Sequence, residues 1–322
     1  MDCLIPPGIG DAVWCMPKLS TISKRPGTGP IDLKVASWGL DPIETRAYDV
    51  LRRFDFIHSV EAYPMPKDGR HAPLLKPGPV ATKAGHYNYI QDGPCSTLPG
   101  IDYVMIPNGA LERGIRLEDW QPEIETDWGF MRSWSFTEQE KAIADQFMSF
   151  GGPFVVLYMC SQRGNTEAGH NRNGLWKPAD WRALCDAIPL ERQMGIVIVG
   201  AEYDASYYRD NCHSNLWCDA IGRWPICTSL AVIARAKAVI AYQSGIGVMA
   251  HYMGVPTAMW WRPKGNSIDP GEYVSPDEAM ATAWTYPDTP ESQFKPMIYG
   301  RETPAQIADW VAGLPARDEV RA

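Results

Sequence analysis

A length of 322 residues with 45% hydrophobic and 21% charged side chains is enough for two domains with their own cores, and excludes a disordered chain. The formal net charge of −8 argues against broad, non-specific adhesion to nucleic acid or anionic lipid. No stretch approaches the roughly eighteen uninterrupted apolar residues of a membrane span. The opening MDCLIPPGIGD lacks the basic segment and apolar run of a secretion signal, so a cytoplasmic protein is expected.

From the start, apolar Cys3–Ile5 reads as a strand running into Pro6-Pro7-Gly8-Ile9-Gly10-Asp11, and a helical pattern follows through Val13, Met16 and Leu19. Ile31–Trp38 reads as a strand, Ile43–Phe54 as a helix with Ala47, Val50, Leu51 and Phe54 on one face, and Ile57–Tyr63 as the next strand. Residues 64–100 are rich in Pro, Gly, Lys and His and show no periodicity, which marks a functional or disordered insert. Asp102–Ile106 resumes as a strand. Thr137 and Glu140 form a capping box for a helix that ends at Gly151-Gly152-Pro153. The domain boundary is expected there, giving domains 1–150 and 151–322.

The second half is more regular. Strands are expected at Phe154–Met159, Ile196–Gly200, Leu216–Ala220, Ala238–Ala241 and Thr257–Trp261. Between them come helices from Pro178 to about Ile188, Tyr203–Asn211, Ser229–Ala236 (opened by Thr228) and Ile246–Met253. This alternation demands right-handed crossovers and a doubly wound parallel sheet. A last helix, Pro304–Leu314, follows a Pro-rich linker.

Four places carry chemistry. Gly10 and Asp11 sit at a strand-to-helix turn, where free helix amides face the mouth of the sheet and a carboxylate can take a proton from a hydroxyl. The same Asp could instead only cap the helix. Gln243-Ser244-Gly245-Ile246-Gly247 forms a second such turn, suited to a diphosphate without a metal, or equally to close packing. The polar loop Cys160–Leu175 and its sequel carry Arg163, His170, Arg172 and Lys177, of which the arginines and the lysine suit clamping phosphates, or form a solvated surface. Glu202 and Asp204 follow a strand where a carboxylate can meet ribose hydroxyls, or cap a helix. The six histidines lack metal-ligand spacing, and His251 on an apolar helix reads as a packing residue. G-x-S-x-G, Walker and D-x-D motifs are missing from the sequence, so no metal and no cofactor is expected. The eight cysteines include no C-x-x-C pair and read as reduced thiols.

Together, GIGDAVWCMPKL, WKPADWRALCDAI, VIVGAEYD and SLAVIARAKAVIAYQSGIGVMAHYMGVP resemble the motifs of the ADP-heptosyltransferases, glycosyltransferase family 9. The resemblance covers about the first twenty residues and most of 154–261. It implies a GT-B fold of α/β class, two Rossmann-like domains facing a central cleft, with the acceptor side N-terminal and the nucleotide-sugar side C-terminal. It further implies metal-independent, inverting transfer to a glycan or other hydroxyl acceptor. Asp11 then stands as general base, Ser244 and Gly245 as the diphosphate turn, and Glu202 or Asp204 as the ribose carboxylate. The chain departs from the family pattern with Gln243 where an acidic residue is expected and Val248 where a histidine is expected. The Lys expected just before Trp-Pro is missing, with Lys177 or Arg172 as substitutes. Three alternatives stay open: a GT-B enzyme acting on a modified DNA base through Lys67–His86, a nucleotide-sugar epimerase, and a nucleotide-sugar-binding module without catalysis.

Overall fold

The computed structural model describes residues 1–37, 46–64, 93–95, 98–107, 110, 114–148, 152–159, 176, 178–188, 194–202, 216–242, 244–260, 284–297 and 302–315. The chain divides into two compact units, Met1–Ser135 and Phe136–Ala322. The division falls ahead of the helix Glu138–Met148, which the sequence reading assigned to the end of the first domain.

The first unit holds β1 (Asp2–Ile5), α1 (Ile9–Ser23), β2 (Ile31–Ser37), α2 (Arg46–Leu51), β3 (Ile57–Pro64), β4 (Gly93–Pro94) and β5 (Tyr103–Val104). Its sheet runs β3-β2-β1-β5-β4, with β4 alone antiparallel to its neighbour among the described strands. Alternation along β2 sets the two faces: Ile31, Leu33 and Val35 are buried, whereas Asp32 and Lys34 are half-exposed. On this second face Lys34 bridges Asp2 and Glu61 across three strands. Further along it, the irregular segment bearing Cys95, Leu98 and Ile101 packs on Leu4, Ala36, Val104 and Ile106. A non-helical segment thus covers a sheet face that α/β folds ordinarily cover with a helix.

The second unit holds α3 (Glu138–Met148), β6 (Phe154–Tyr158), α4 (Pro178–Ala187), β7 (Gly195–Ile198), β8 (Leu216–Asp219), α5 (Ile226–Ile233), β9 (Ala238–Ala241), α6 (Gly245–Tyr252), β10 (Thr257–Trp260), β11 (Phe294–Met297) and α7 (Pro304–Gly313). The strands pair in parallel in the order β11-β10-β9-β6-β7-β8. The capping box of α3 is formed: the Thr137 amide donates to Glu140 Oε2 at 2.8 Å, and the Glu140 amide to Thr137 Oγ1 at 3.3 Å. The core on one face of the sheet joins Leu157, Ile198, Ile240 and Trp260 of the strands to Trp181, Leu184 and Cys185 of α4 and Ile307 and Val311 of α7.

Several elements differ from the sequence reading, among them strand β4 within the stretch that showed no periodicity and a 3-10 turn at Phe130–Ser133. Helix α5 begins at Ile226, two residues before Thr228, because extended Pro225 (φ −55°, ψ 154°) supplies its first carbonyl, accepting from the Ser229 amide at 3.0 Å. The linker before α7 contains strand β11. Pro296 hides it in the sequence, since a proline cannot donate to a ladder, but β11 lies at a sheet edge, where that donor is dispensable. The expected helix Tyr203–Asn211 and nearly all of the 64–100 insert lie outside the described residues.

Candidate functional site

Strand order locates where each sheet can hold a ligand. In the first, β1 leads outward through β2 to β3 on one side and neighbours β5 on the other. In the second, β6 leads to β7 and β8 one way, while β9, β10 and β11 run the other way. Ligands of open α/β sheets bind beyond the carboxyl ends of the strands at such reversals. The β1–β5 and β6–β9 pairs are therefore the two places to inspect.

At β1–β5 the chain leaves β1 through Pro6–Gly8 and enters α1, whose N-cap is extended Gly8 (φ −68°, ψ 131°) with no side-chain cap. Asp11 is the third residue of the helix, half-buried in its first turn, where a carboxylate complements the helix dipole. The carboxylate folds back over the turn. A Cβ placed on Gly8 would come within 2.7 Å of Asp11 Oδ2, so the glycine leaves the space that the carboxylate uses. Gly10 is buried in the same turn. On the other side, the segment after β5 packs on α1, with Cys15 Sγ 3.6 Å from the Met105 carbonyl oxygen.

Further along α1, Lys18 is 1% exposed. Its ammonium donates to the Ile124 carbonyl at 2.6 Å and the Glu118 carbonyl at 3.3 Å. Burial pushes this amine below its usual range, against the upward pull of Glu118, Glu123 and Asp119. Asp127 adds a second clasp, accepting from Ser20, Lys24 and the Gly129 amide. Burial works to raise its carboxyl, but those hydrogen bonds, Lys24's first, outweigh it and hold the group below the ordinary carboxylate value. The segment 118–129 is tied to the same helix that presents Asp11.

At β6–β9 the chain leaves β9 through Tyr242 and enters α6 at the N-cap Ser244, whose Oγ accepts from the Gly247 amide at 3.4 Å. Ser244 and Gly245 are half-exposed. The remaining amides of this turn point where an anion gains from the helix dipole. Gly247 has a packing reason to be small: a Cβ there would meet Met259 Sδ at 2.5 Å and the Tyr242 carbonyl at 3.3 Å. Glu202 is exposed beyond β7, next to Gly222, where a Cβ would meet Glu202 Cα at 2.9 Å. The ends of β9, β6 and β7 are neighbours, so the Ser244 turn, the chain entering the 160–175 loop and the approach to Glu202 share one edge of the sheet. Arg163, Arg172, Lys177, Gln243 and Asp204 lie outside the described residues, as does Lys67–His86.

An aromatic set behind this turn was not singled out from the sequence. The Tyr242 hydroxyl donates to the Trp176 carbonyl at 3.2 Å and accepts from Trp181 Nε1 at 3.4 Å. Trp176 meets Trp181 and Trp260 edge-on, with centroids 5.2 and 5.5 Å apart. The motif WKPADW held the clue, since its two tryptophans flank the start of α4. His251 is 3% exposed among the rings of Tyr252, Tyr286 and Phe294, where burial lowers it to about 3. It is a neutral packing residue, as the sequence reading expected. No group of three or more His, Cys, Asp or Glu side chains is placed to hold a metal among the described residues, and no described helix is long and apolar enough to cross a membrane.

No protein-family profile matches the chain, and no curated protein sequence matches it. Among solved structures it is similar to the E. coli ADP-heptose LPS heptosyltransferase II, at 14% identity over 99% of each chain and a TM-score of 0.57. It is also similar to a family 9 glycosyl transferase from Veillonella parvula DSM 2008, at 13% identity over 97% of this chain and 95% of that one, TM-score 0.59. At such identity the likeness speaks for architecture. With an open, largely parallel α/β sheet in each of two units along its length, the chain has the GT-B fold.

Proposed function

We propose that the chain is a glycosyltransferase, heptosyltransferase-like, that moves a sugar from a nucleotide-sugar to an acceptor hydroxyl with inversion and without a metal. The observation that carries the reading is a matched pair of sites, each at the strand-order reversal of its own sheet: a carboxylate on α1 and an N-capped helix start on α6. The first suits an acceptor hydroxyl, the second a diphosphate.

In this reading the Asp11 carboxylate takes the acceptor's hydroxyl proton. The acceptor oxygen then forms its bond to the anomeric carbon as the bond to the phosphate oxygen breaks, and the nucleoside diphosphate leaves with the electron pair. The Ser244, Gly245 and Ile246 amides, which the Ser244 cap leaves open, take up the charge that develops on it, helped by cations from Arg163, Arg172 or Lys177. Glu202 accepts hydrogen bonds from the ribose hydroxyls. A cytoplasmic location fits this use of a nucleotide-sugar.

The test is Asp11→Asn, which keeps the shape and removes the base. Release of nucleoside diphosphate in the presence of glycan acceptors should fall by roughly 10²–10⁴-fold. Nucleotide-sugar affinity by titration calorimetry should stay within about twofold. Equal turnover removes Asp11 from the role, and tight nucleotide binding with no turnover even in the native sequence favours a binding module.

A further inference from the structure

Tyr242 is held through three of its groups, and each contact reaches a different part of the sheet edge that carries the Ser244 turn. Its amide donates to the Tyr158 carbonyl at 3.2 Å, one rung beyond the ladder that pairs β9 with β6. Its carbonyl oxygen lies against the first turn of α6, where a Cβ on Gly247 would come within 3.3 Å of it. Its hydroxyl donates to the Trp176 carbonyl at 3.2 Å, where the chain returns toward α4, and accepts from Trp181 Nε1 of α4 at 3.4 Å. The residue is 4% exposed, and its ring meets Trp181 edge-on with centroids 5.7 Å apart.

One residue thus joins both ends of the stretch between Tyr158 and Trp176 to the turn that begins two positions later at Ser244. In sequence that stretch carries Arg163 and Arg172, and Lys177 directly follows Trp176. A phenyl ring would fill the same space beside Trp181. The hydroxyl adds a polar atom that has to be satisfied once buried. It is satisfied by two partners, one ahead of α4 and one within it, which fixes relative position and adds little packing area. Groups that bind a ligand keep their geometry where contacts of this kind lock the backbone that bears them.

We propose that Tyr242 is a positioning residue for the donor diphosphate. Its hydroxyl sets the return of the cation-bearing stretch at Trp176 against the Ser244 turn, so that cations and open helix amides meet the same pair of phosphates. The assignment rests on the transferase reading of that turn. Its consequence is selective, because the Ser244 cap is made without the Tyr242 hydroxyl. Losing the hydroxyl leaves those amides in place and withdraws the cations, so the diphosphate is weakened and the nucleoside is not.

The experiment titrates the full chain with ADP, UDP, GDP and CDP, well below its melting temperature, and compares the diphosphate that binds with its nucleoside. Tyr242→Phe removes the hydroxyl and keeps the ring. It should weaken the diphosphate by roughly tenfold or more and leave the nucleoside within about twofold. It should also flatten the dependence of the diphosphate Kd on salt, since fewer cations then reach the phosphates. Tyr242→Met repeats the titration should the Phe variant fold poorly. Trp181→Phe strips the indole donor and loosens the same core, yet leaves the hydroxyl bonded to the Trp176 carbonyl. It should melt earlier and still keep the diphosphate within about threefold. Diphosphate affinity unchanged in Tyr242→Phe, equal weakening of nucleoside and diphosphate, or equal weakening in the Tyr242 and Trp181 variants would each overturn the assignment. A native chain that binds none of the four diphosphates sinks the transferase reading and this assignment with it. A native chain that binds one, with Tyr242→Phe unaffected, sinks only the role of Tyr242.

Discussion

His251 gives the second unit a defined acid sensitivity. Its Nε2 accepts from the Tyr286 amide at 3.4 Å, which leaves the ring proton on Nδ1, and the Nδ1 atom is buried without a partner among the described residues. Protonating the ring would set a second N–H against the Tyr286 amide in an apolar cage, so the folded chain keeps it neutral down to about pH 3, against an ordinary 6.5. The sign follows. Above pH 6.5 both states hold the neutral ring and nothing changes. Below it the unfolded chain binds a proton that the folded chain refuses, so stability falls as pH drops from 6.5 toward 3, by at most about 1.4 kcal/mol per unit. Between pH 7.5 and 5.0 the loss is about 2 kcal/mol, and any folded value below about 4 gives nearly the same figure. The assay is urea unfolding of the second unit at both pH values for the native chain and for His251→Phe, which keeps a ring among Tyr252, Tyr286 and Phe294. The native chain should lose about 2 kcal/mol more than the variant. Equal losses would show that the ring titrates normally and is not sealed.

Other substitutions probe the two turns and the clasp. Gly8→Ala puts a methyl 2.7 Å from Asp11 Oδ2 while φ stays in an ordinary region; the flexible carboxylate moves, so melting should shift by less than ~1 kcal/mol while turnover falls tenfold or more. Gly247→Ala drives a methyl to 2.5 Å from Met259 Sδ and should cost about 1–3 kcal/mol in denaturant unfolding, partly restored by Met259→Ala. Lys18→Met keeps the stem but leaves the Glu118 and Ile124 carbonyls unpaired; about 1–3 kcal/mol should be lost from the first unit, with amide exchange accelerating across 118–129 and not in the second unit's sheet.

Much of the fold was legible because the information is local. Runs such as FVVLYM and AVIA have the continuous apolar character of strands buried on both faces, and Thr137 and Glu140 announce their helix start through a two-residue contact. What stayed hidden depends on tertiary position. Pro296 masks β11 until the strand is known to lie at an edge. The sequence shows Asp11 near a helix start, but only the structure shows that Gly8 holds the N-cap position and leaves the space that the carboxylate uses. The Ser244 turn was visible as a small-residue motif, but its place beside the end of β6 follows only from strand order. Lys18 carried no signal at all: a lysine on an apolar helix looks like a surface residue until its burial and partners are seen.

The donor claim is tested most directly by melting the full chain with ADP-, UDP-, GDP- and CMP-linked sugars. One nucleotide class should raise the second unit's stability, by about 2.7 kcal/mol at a hundredfold excess over Kd, and Ser244→Ala with Gly245→Val should erase that rise. A native chain whose melting none of the four classes moves would contradict the account.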